Sequence, residues 1–264
     1  MLVHLTFIFV ILFISIAAYL KRSLSKTGSL AAFFLGFVLY SSGGVTFLAP
    51  LFAFFVSSSL LTRFRGKEKE KIEKTLYDKT GNRDHVQVFA NGGVAAIIAI
   101  AYWLHPGEIA IVALFAAFSA CNADTWASEI GVLSKKAPVS ILTLKPMNRG
   151  ISGGVTMMGT IASFGGALLL AVFYLGIRYG NLETGQLIRN SIWITLAGFL
   201  GTLLDSILGA LLQPLYRNAE TGALTEKKNE WGVKNVRIKG FEFFSNDMVN
   251  FISSGIAACL VFFV

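Results

Sequence analysis

Eight long apolar stretches constrain this chain more than any motif does. A helix needs about 20 apolar residues to cross the ~30 Å hydrocarbon layer of a bilayer. Runs of that kind fall at about 2–20, 28–44, 45–62, 86–104, 107–130, 152–177, 190–213 and 247–264. They are continuously apolar and do not alternate in ten-residue segments, so helices are expected in place of barrel strands. Only Ser41-Ser42-Gly43-Gly44 separates the second run from the third, and His105-Pro106-Gly107 the fourth from the fifth, which makes each pair a tight helical hairpin. The expected fold is an all-α integral membrane protein, a single polytopic domain over 1–264 with about eight transmembrane helices. Composition agrees: 54% of the 264 residues are hydrophobic and 14% charged, against about a quarter charged in a soluble domain. Cys121 and Cys259 both lie in apolar stretches and read as small buried thiols, not a bridge.

Positive charge sets the expected sidedness, because Lys and Arg in short loops stay on the cytoplasmic side. One alternating assignment puts loops 21–27, 63–85, 131–151 and 214–246 inside. These hold 21 of the 23 Lys and Arg, leaving Arg178 and Arg189 outside, and both termini then become extracytoplasmic. The net charge of +8 is thereby a matter of topology and anionic-lipid contact, and no nucleic-acid partner is needed to explain it. Lys21 and Arg22 follow the first run instead of preceding it, so that run reads as an anchor, not a cleaved signal. Glu70 and Lys74, at i,i+4 spacing in a charged connector, could form a short surface helix.

Ionisable groups within spans are costly against lipid and mark a bundle interior, a wet cavity or a site. Here they cluster. Arg83, Gln87 and Asn91 share one face where the fourth span opens. Where the fifth ends, Asp124 and Ser128 project together, and Asn122, Thr125 and Glu129 project from nearly the opposite side. Two polar faces on one membrane helix require a deeply buried helix or a break in it. Thr202, Asp205, Ser206, Gly209 and Gln213 form one stripe on the seventh span, and Asp247, Asn250 and Ser254 are in register on the eighth. All four patches fall at the helix ends assigned to the cytoplasmic face. Their carboxylates, Asp124, Glu129, Asp205 and Asp247, have amide and hydroxyl neighbours, and hard oxygen donors of this kind suit Mg²⁺.

The sixth span is expected to start at Ser152-Gly153-Gly154, just after Lys145 and Arg149. Glycines at a helix N-terminus let backbone N–H groups approach an anion, so this is a candidate phosphate cradle. No Walker A loop, dinucleotide fingerprint, zinc pattern, Ser/His/Asp order or HExxH helix occurs. Individually, many of the glycines and one or two of the aspartates are also explained by close helix packing and interhelical hydrogen bonding.

Five strings carry a resemblance: Gln87-Val88-Phe89-Ala90-Asn91-Gly92-Gly93, Ala123-Asp124-Thr125-Trp126-Ala127-Ser128-Glu129-Ile130-Gly131, Gly150-Ile151-Ser152-Gly153-Gly154-Val155-Thr156, Gly201-Thr202-Leu203-Leu204-Asp205-Ser206-Ile207-Leu208-Gly209-Ala210 and Asn246-Asp247-Met248-Val249-Asn250. From about residue 20 onward the chain resembles a polytopic membrane family, long of unknown function, that includes plant phytyl-phosphate kinase and animal transmembrane protein 19. Dolichol kinases and CDP-diacylglycerol synthases are more distantly similar. The resemblance implies a CTP-dependent, Mg²⁺-dependent kinase that converts an isoprenyl monophosphate to its diphosphate at the cytoplasmic face of the cell membrane. Joined to it, the reading of the residues places Asp124, Asp205 and Asp247 on one or two Mg²⁺ ions with Asn246, Asn250 and Glu129 beside them. Arg83, Lys145, Arg149 and the Ser152-Gly153-Gly154 backbone hold phosphates, and Asn91 orients one of these groups. A cytidylyltransferase attacking the α-phosphate of CTP would use the same parts. A secondary transporter is the alternative of another class, opposed by carboxylates that lie towards one face and by the lack of matching halves.

Overall fold

Ser25, Asp84, Thr156 and Ser245 each precede an apolar run, and each caps a helix. Their side chains accept the N–H of Gly28, Gln87, Gly159 and Met248, and Gln87 returns a bond to the Asp84 N–H to complete a capping box. The computed structural model describes residues 2–64, 82–230 and 232–263. Among them are the helices α1 (Leu2–Leu20), α2 (Lys26–Arg63), α3 (His85–Leu104), α4 (Glu108–Gly131), α5 (Met157–Arg178), α6 (Thr184–Leu212) and α7 (Asn246–Leu260), the last closed by a 3₁₀ turn at Val261–Phe263. All seven, α7 counted with its closing turn, are long and apolar enough to cross a membrane.

The 38-residue α2 is two limbs. Gly43 and Gly44 leave helical geometry, and Gly44 takes a φ of +61° that a side chain would disfavour. The chain reverses there, since Gly36 comes to lie beside Leu48 and Arg63 Nη2 at the far end reaches Ser23 Oγ near the start at 3.4 Å. The described residues therefore form eight apolar limbs. The stretch 65–81, which holds Glu70 and Lys74, lies outside the described residues.

At the centre stands α4, packed against α2, α3, α5, α6 and α7 and buried without interruption over residues 111–123. Phe115 and Phe118 from α4 meet Phe47, Leu170, Tyr174 and Ile194 in the core. Lipid is as apolar as these side chains, so helix association depends on close contact and interhelical hydrogen bonds. Gly198 shows the closeness: a Cβ there would sit 2.0 Å from Ser119 Oγ. Gly198→Ala should cost about 2 kcal/mol by overpacking, read as a lower unfolding midpoint in detergent.

Two ends can be told apart. Capped starts, the Lys21–Arg22 turn, the Leu24–Arg83 bridge and the segments 132–156 and 213–245 gather at a basic end. The Gly43–Gly44 turn and residues 105–107 lie at the other, joined by a 3.2 Å bond from Trp103 Nε1 to Ser41 O. Short strands order the basic end. β1 (Val139–Ser140) pairs antiparallel with β2 (Gly154–Val155), and β3 (Leu215–Arg217) lies between β4 (Leu224–Thr225) and β7 (Val236–Lys239). β5 (Asn229–Glu230) pairs with β6 (Val233–Lys234).

Two expectations need correction. The sixth span was expected from 152, but α5 starts at Met157, because Gly150 and Gly153 take positive φ and Gly154–Val155 is spent on a strand. Cys121 is buried as expected, whereas Cys259 is exposed on the outer surface; both are free thiols.

Candidate active site

A cavity of about 620 Å³ opens at the basic end between α4, α5, α6, the start of α7 and the two long loops. Its carboxylates come from separate elements. Asp124 and Glu129 reach it from α4, Asp205 from α6 and Asp247 from α7. Asp124 and Asp205 each stand seven residues before the end of their helix, so both sit about 10 Å along the helix inside the basic end. They lie within electrostatic reach of each other, and among the described residues neither has a salt-bridge partner.

Asp205 is held from α7. Its Oδ2 accepts Ser253 Oγ at 2.8 Å, and Asn250, with its amide nitrogen turned inward, donates to the same oxygen at 3.0 Å. Asn250 therefore acts on Asp205 from beside the cavity instead of lining it. Asn246 and Asp247 do line it. Among the described residues no three His, Cys, Asp or Glu side chains form a preassembled metal group. Two carboxylates with amide and hydroxyl neighbours still fit Mg²⁺, which takes one or two protein carboxylates and completes its shell with water and substrate phosphate.

The two polar faces of α4 divide the work. Asn122 is completely buried, accepting from Ser57 Oγ at 2.7 Å and donating to Gly166 O at 2.8 Å. Trp126 Nε1 donates to the same Ser57 hydroxyl at 3.3 Å. These residues bind α4 to α2 and α5, so deep burial, not a break, explains the second face. Glu129 belongs to both sets, accepting from Thr62 Oγ1 while lining the cavity.

The expected phosphate-holding residues separate. Arg83 lines the cavity, donates to Ser58 Oγ at 3.2 Å and packs over Phe54. Burial lowers its pKa, and the charge of Glu129 opposes the shift. Arg149 also lines the cavity, but its guanidinium donates to the carbonyls of Val132, Ser134 and Lys135, tying the loop together. Lys145 is exposed on the β1 turn and lines no part of the cavity, which takes Lys136 in its place. Asn91 turns back on its own helix, donating to Gln87 O at 2.9 Å, and lines a smaller pocket with Arg83 and Gln87, not the main cavity.

Ser152, Gly153 and Gly154 line the cavity as a loop and strand, not as a helix N-terminus. Gly153 packs on Ala210, where a Cβ would come within 2.4 Å. Ser152 offers both its N–H and its Oγ to Glu226 Oε1, each at 2.6 Å, and its Oγ also contacts Gln213 Oε1.

Glu226 and Glu242, both lining the cavity, escaped the sequence reading. Glu226 is 74 residues from Ser152, and nothing local in its segment signals the contact. Burial raises its pKa, against the opposing effects of the Ser152 bonds and Lys239. A carboxyl with a raised folded-state pKa contributes stability fully below its unfolded pKa and loses it as pH rises through the folded value. Glu226→Gln should remove that component, so wild type minus variant stability should fall from acid towards neutral pH in parallel unfolding curves.

The chain matches the family described as integral membrane protein DUF92 over residues 9–258. It is a member of that family. This DUF92 protein is 30% identical over 263 residues to Protein PGR of Arabidopsis thaliana, covering 91% of this chain and 88% of that one. An uncharacterized membrane protein of Methanocaldococcus jannaschii is 31% identical over 78% of this chain and 83% of its own. Protein VTE6, chloroplastic, of Arabidopsis thaliana is 26% identical over 92% of this chain and 66% of its own. No solved structure matches the DUF92 chain.

Proposed function

We propose that this protein is a CTP-dependent, Mg²⁺-dependent kinase that converts an isoprenyl monophosphate to its diphosphate, with the cavity facing the cytoplasm and both termini outside. The observation that carries the reading is the pair Asp124 and Asp205, drawn from two membrane helices to one depth in the lining of a 620 Å³ cavity. Three further facts support it. A cavity of this size lies within the range that accommodates small ligands. The basic loops around it match the side on which CTP is found. A phosphate head on an apolar tail suits a site one helical stretch inside the bundle end, because the tail can stay in lipid.

Asp124, Asp205 and Asp247, with Asn246, would hold the metal, which supplies charge neutralisation to the triphosphate when bound. Asn250 and Ser253 fix the Asp205 carboxylate. Arg83 and Lys136 are the cations positioned for phosphate, and Arg149 holds the loop that shapes the cavity wall. Lys145 and Asn91 are left out of the reading by their positions. Phosphoryl transfer needs positioning and charge stabilisation more than a general base, and the acceptor phosphate oxygen is already ionised at neutral pH. That oxygen bonds to the γ-phosphorus, the γ-phosphorus to β-bridging-oxygen bond breaks, and CDP leaves with the electron pair. A panel of prenyl monophosphates with CTP, ATP, GTP and UTP tests the reading: diphosphate product should be greatest with CTP and absent without a divalent cation. No product with any pair would refute it.

A further inference from the structure

The loop between α6 and α7 carries apolar surface where a water-facing loop should have little. Val236 is 62% exposed, Ile238 44%, Phe241 59% and Phe243 70%. In β7 the strand alternation puts Val236 and Ile238 on one side and Arg237 and Lys239 on the other. The Phe241, Phe243 and Phe244 rings form one edge-on cluster.

This surface is pinned to the end of a membrane helix. Lys239 Nζ donates to Ala210 O at 2.8 Å, and the Phe241 N–H donates to Leu212 O at 2.9 Å. Gly240 lies so close to Gln213 that a Cβ would come within 2.0 Å of its carbonyl oxygen. The outward stripe of α6, Ile188, Ile192, Leu196, Leu200 and Leu211, is exposed as a lipid-facing surface must be, and it runs out at the residue before Leu212. Three residues past Phe243, α7 begins.

We infer that the Val236–Ile238 face of β7 and the Phe241–Phe243 lip insert into the headgroup–acyl boundary of the leaflet at the basic end. Bulky apolar side chains, phenylalanine among them, dock at that level in interfacial segments, and Lys234 on β6 and Arg237 on β7 complement anionic headgroups. Apolar surface continuous with the lipid-facing stripe selects the bilayer as its occupant over a separate protein partner. Glu242, between the two exposed phenylalanines, lines the cavity, so the lip sets the cavity mouth at headgroup level. A ligand with an anionic head can then enter from the leaflet without crossing water. The bilayer contact itself stands whatever the cavity binds.

Depth-dependent quenching tests this without any assay of activity. Phe243→Cys, Val236→Cys and, in the turn after β3, Glu220→Cys are each made in the full chain with Cys259→Ala, Cys121 being buried. Each is labelled with the environment-sensitive fluorophore NBD and placed in nanodiscs of phosphatidylcholine and phosphatidylglycerol. Labels at 243 and 236 should emit to the blue of the label at 220. They should also be quenched several-fold more by lipid spin-labelled near the top of the acyl chain, and several-fold less by iodide. Equal iodide quenching at all three positions, or protection at 236 and 243 from both quenchers, would overturn the inference.

Discussion

Asp205→Asn and Asp124→Asn should each cut nucleotide-dependent product formation by on the order of 10²–10³-fold, the scale seen when one preorganised electrostatic contact to a transition state is removed. Asparagine keeps the shape, and at Asp205 it can still accept from Ser253 Oγ, which donates at 2.8 Å in the native protein. What disappears is one negative charge of a pair that has no cationic partner among the described residues. Two like charges in reach of each other oppose folding, so relieving them should leave the metal-free protein as stable as before or more so. The metal response separates function from damage. At a concentration about 100 times its dissociation constant, Mg²⁺ should stabilise the native protein by about 2.7 kcal/mol through mass action, and both variants should lose most of that gain. Turnover near the native level in both would remove the two aspartates from the site.

At the opposite end, Arg178→Met should destabilise the protein by about 2 kcal/mol, somewhat less than the loss of one partner costs a fully buried ion pair, because this pair is partly buried. Arg178 Nη2 lies 2.5 Å from Glu108 Oε2, with each side chain only 19% exposed. Glu108 Oε1 also accepts from Tyr174 Oη at 2.7 Å, and Tyr174 in turn accepts from Asn190 at 2.6 Å. The cluster joins α4, α5 and α6, and losing the guanidinium leaves the Glu108 charge with one neutral donor. Adding Glu108→Gln to Arg178→Met should recover part of the loss, because the stranded charge is gone. Unfolding midpoints of the two single variants and the double variant measure this. Turnover per folded molecule should stay at the native level, since the cluster lies across the bundle from the cavity.

Local pattern carried the fold well and the loops poorly. Apolar runs about one bilayer long are visible to any sliding window, and Gly43-Gly44 marks a reversal because few other residue pairs allow it. Asp124 and Asp205 were legible as cavity-lining residues for a related reason: a carboxylate in an apolar run is expensive, so its presence is informative, and Asp247 stands where such a run opens. Ser152-Gly153-Gly154 misled, because glycine and serine do little to interrupt hydropathy although the backbone there adopts positive φ and a strand. Lys145 and Asn91 were grouped with the site by their neighbours in sequence, yet the β1 turn carries one outward and a helical turn draws the other back onto Gln87 O. Glu226 was invisible because its contact with Ser152 is set by the fold of a long loop, not by any periodicity.

The most direct measurement is phosphate tracing with purified protein in nanodiscs, phytyl monophosphate, Mg²⁺ and CTP labelled at either the γ- or the α-phosphate. The kinase reading predicts γ-label in a lipid diphosphate, α-label retained in CDP, and neither transfer in Asp124→Asn nor Asp205→Asn. Label from the α-phosphate in the lipid, with release of pyrophosphate, would contradict it and make the protein a cytidylyltransferase.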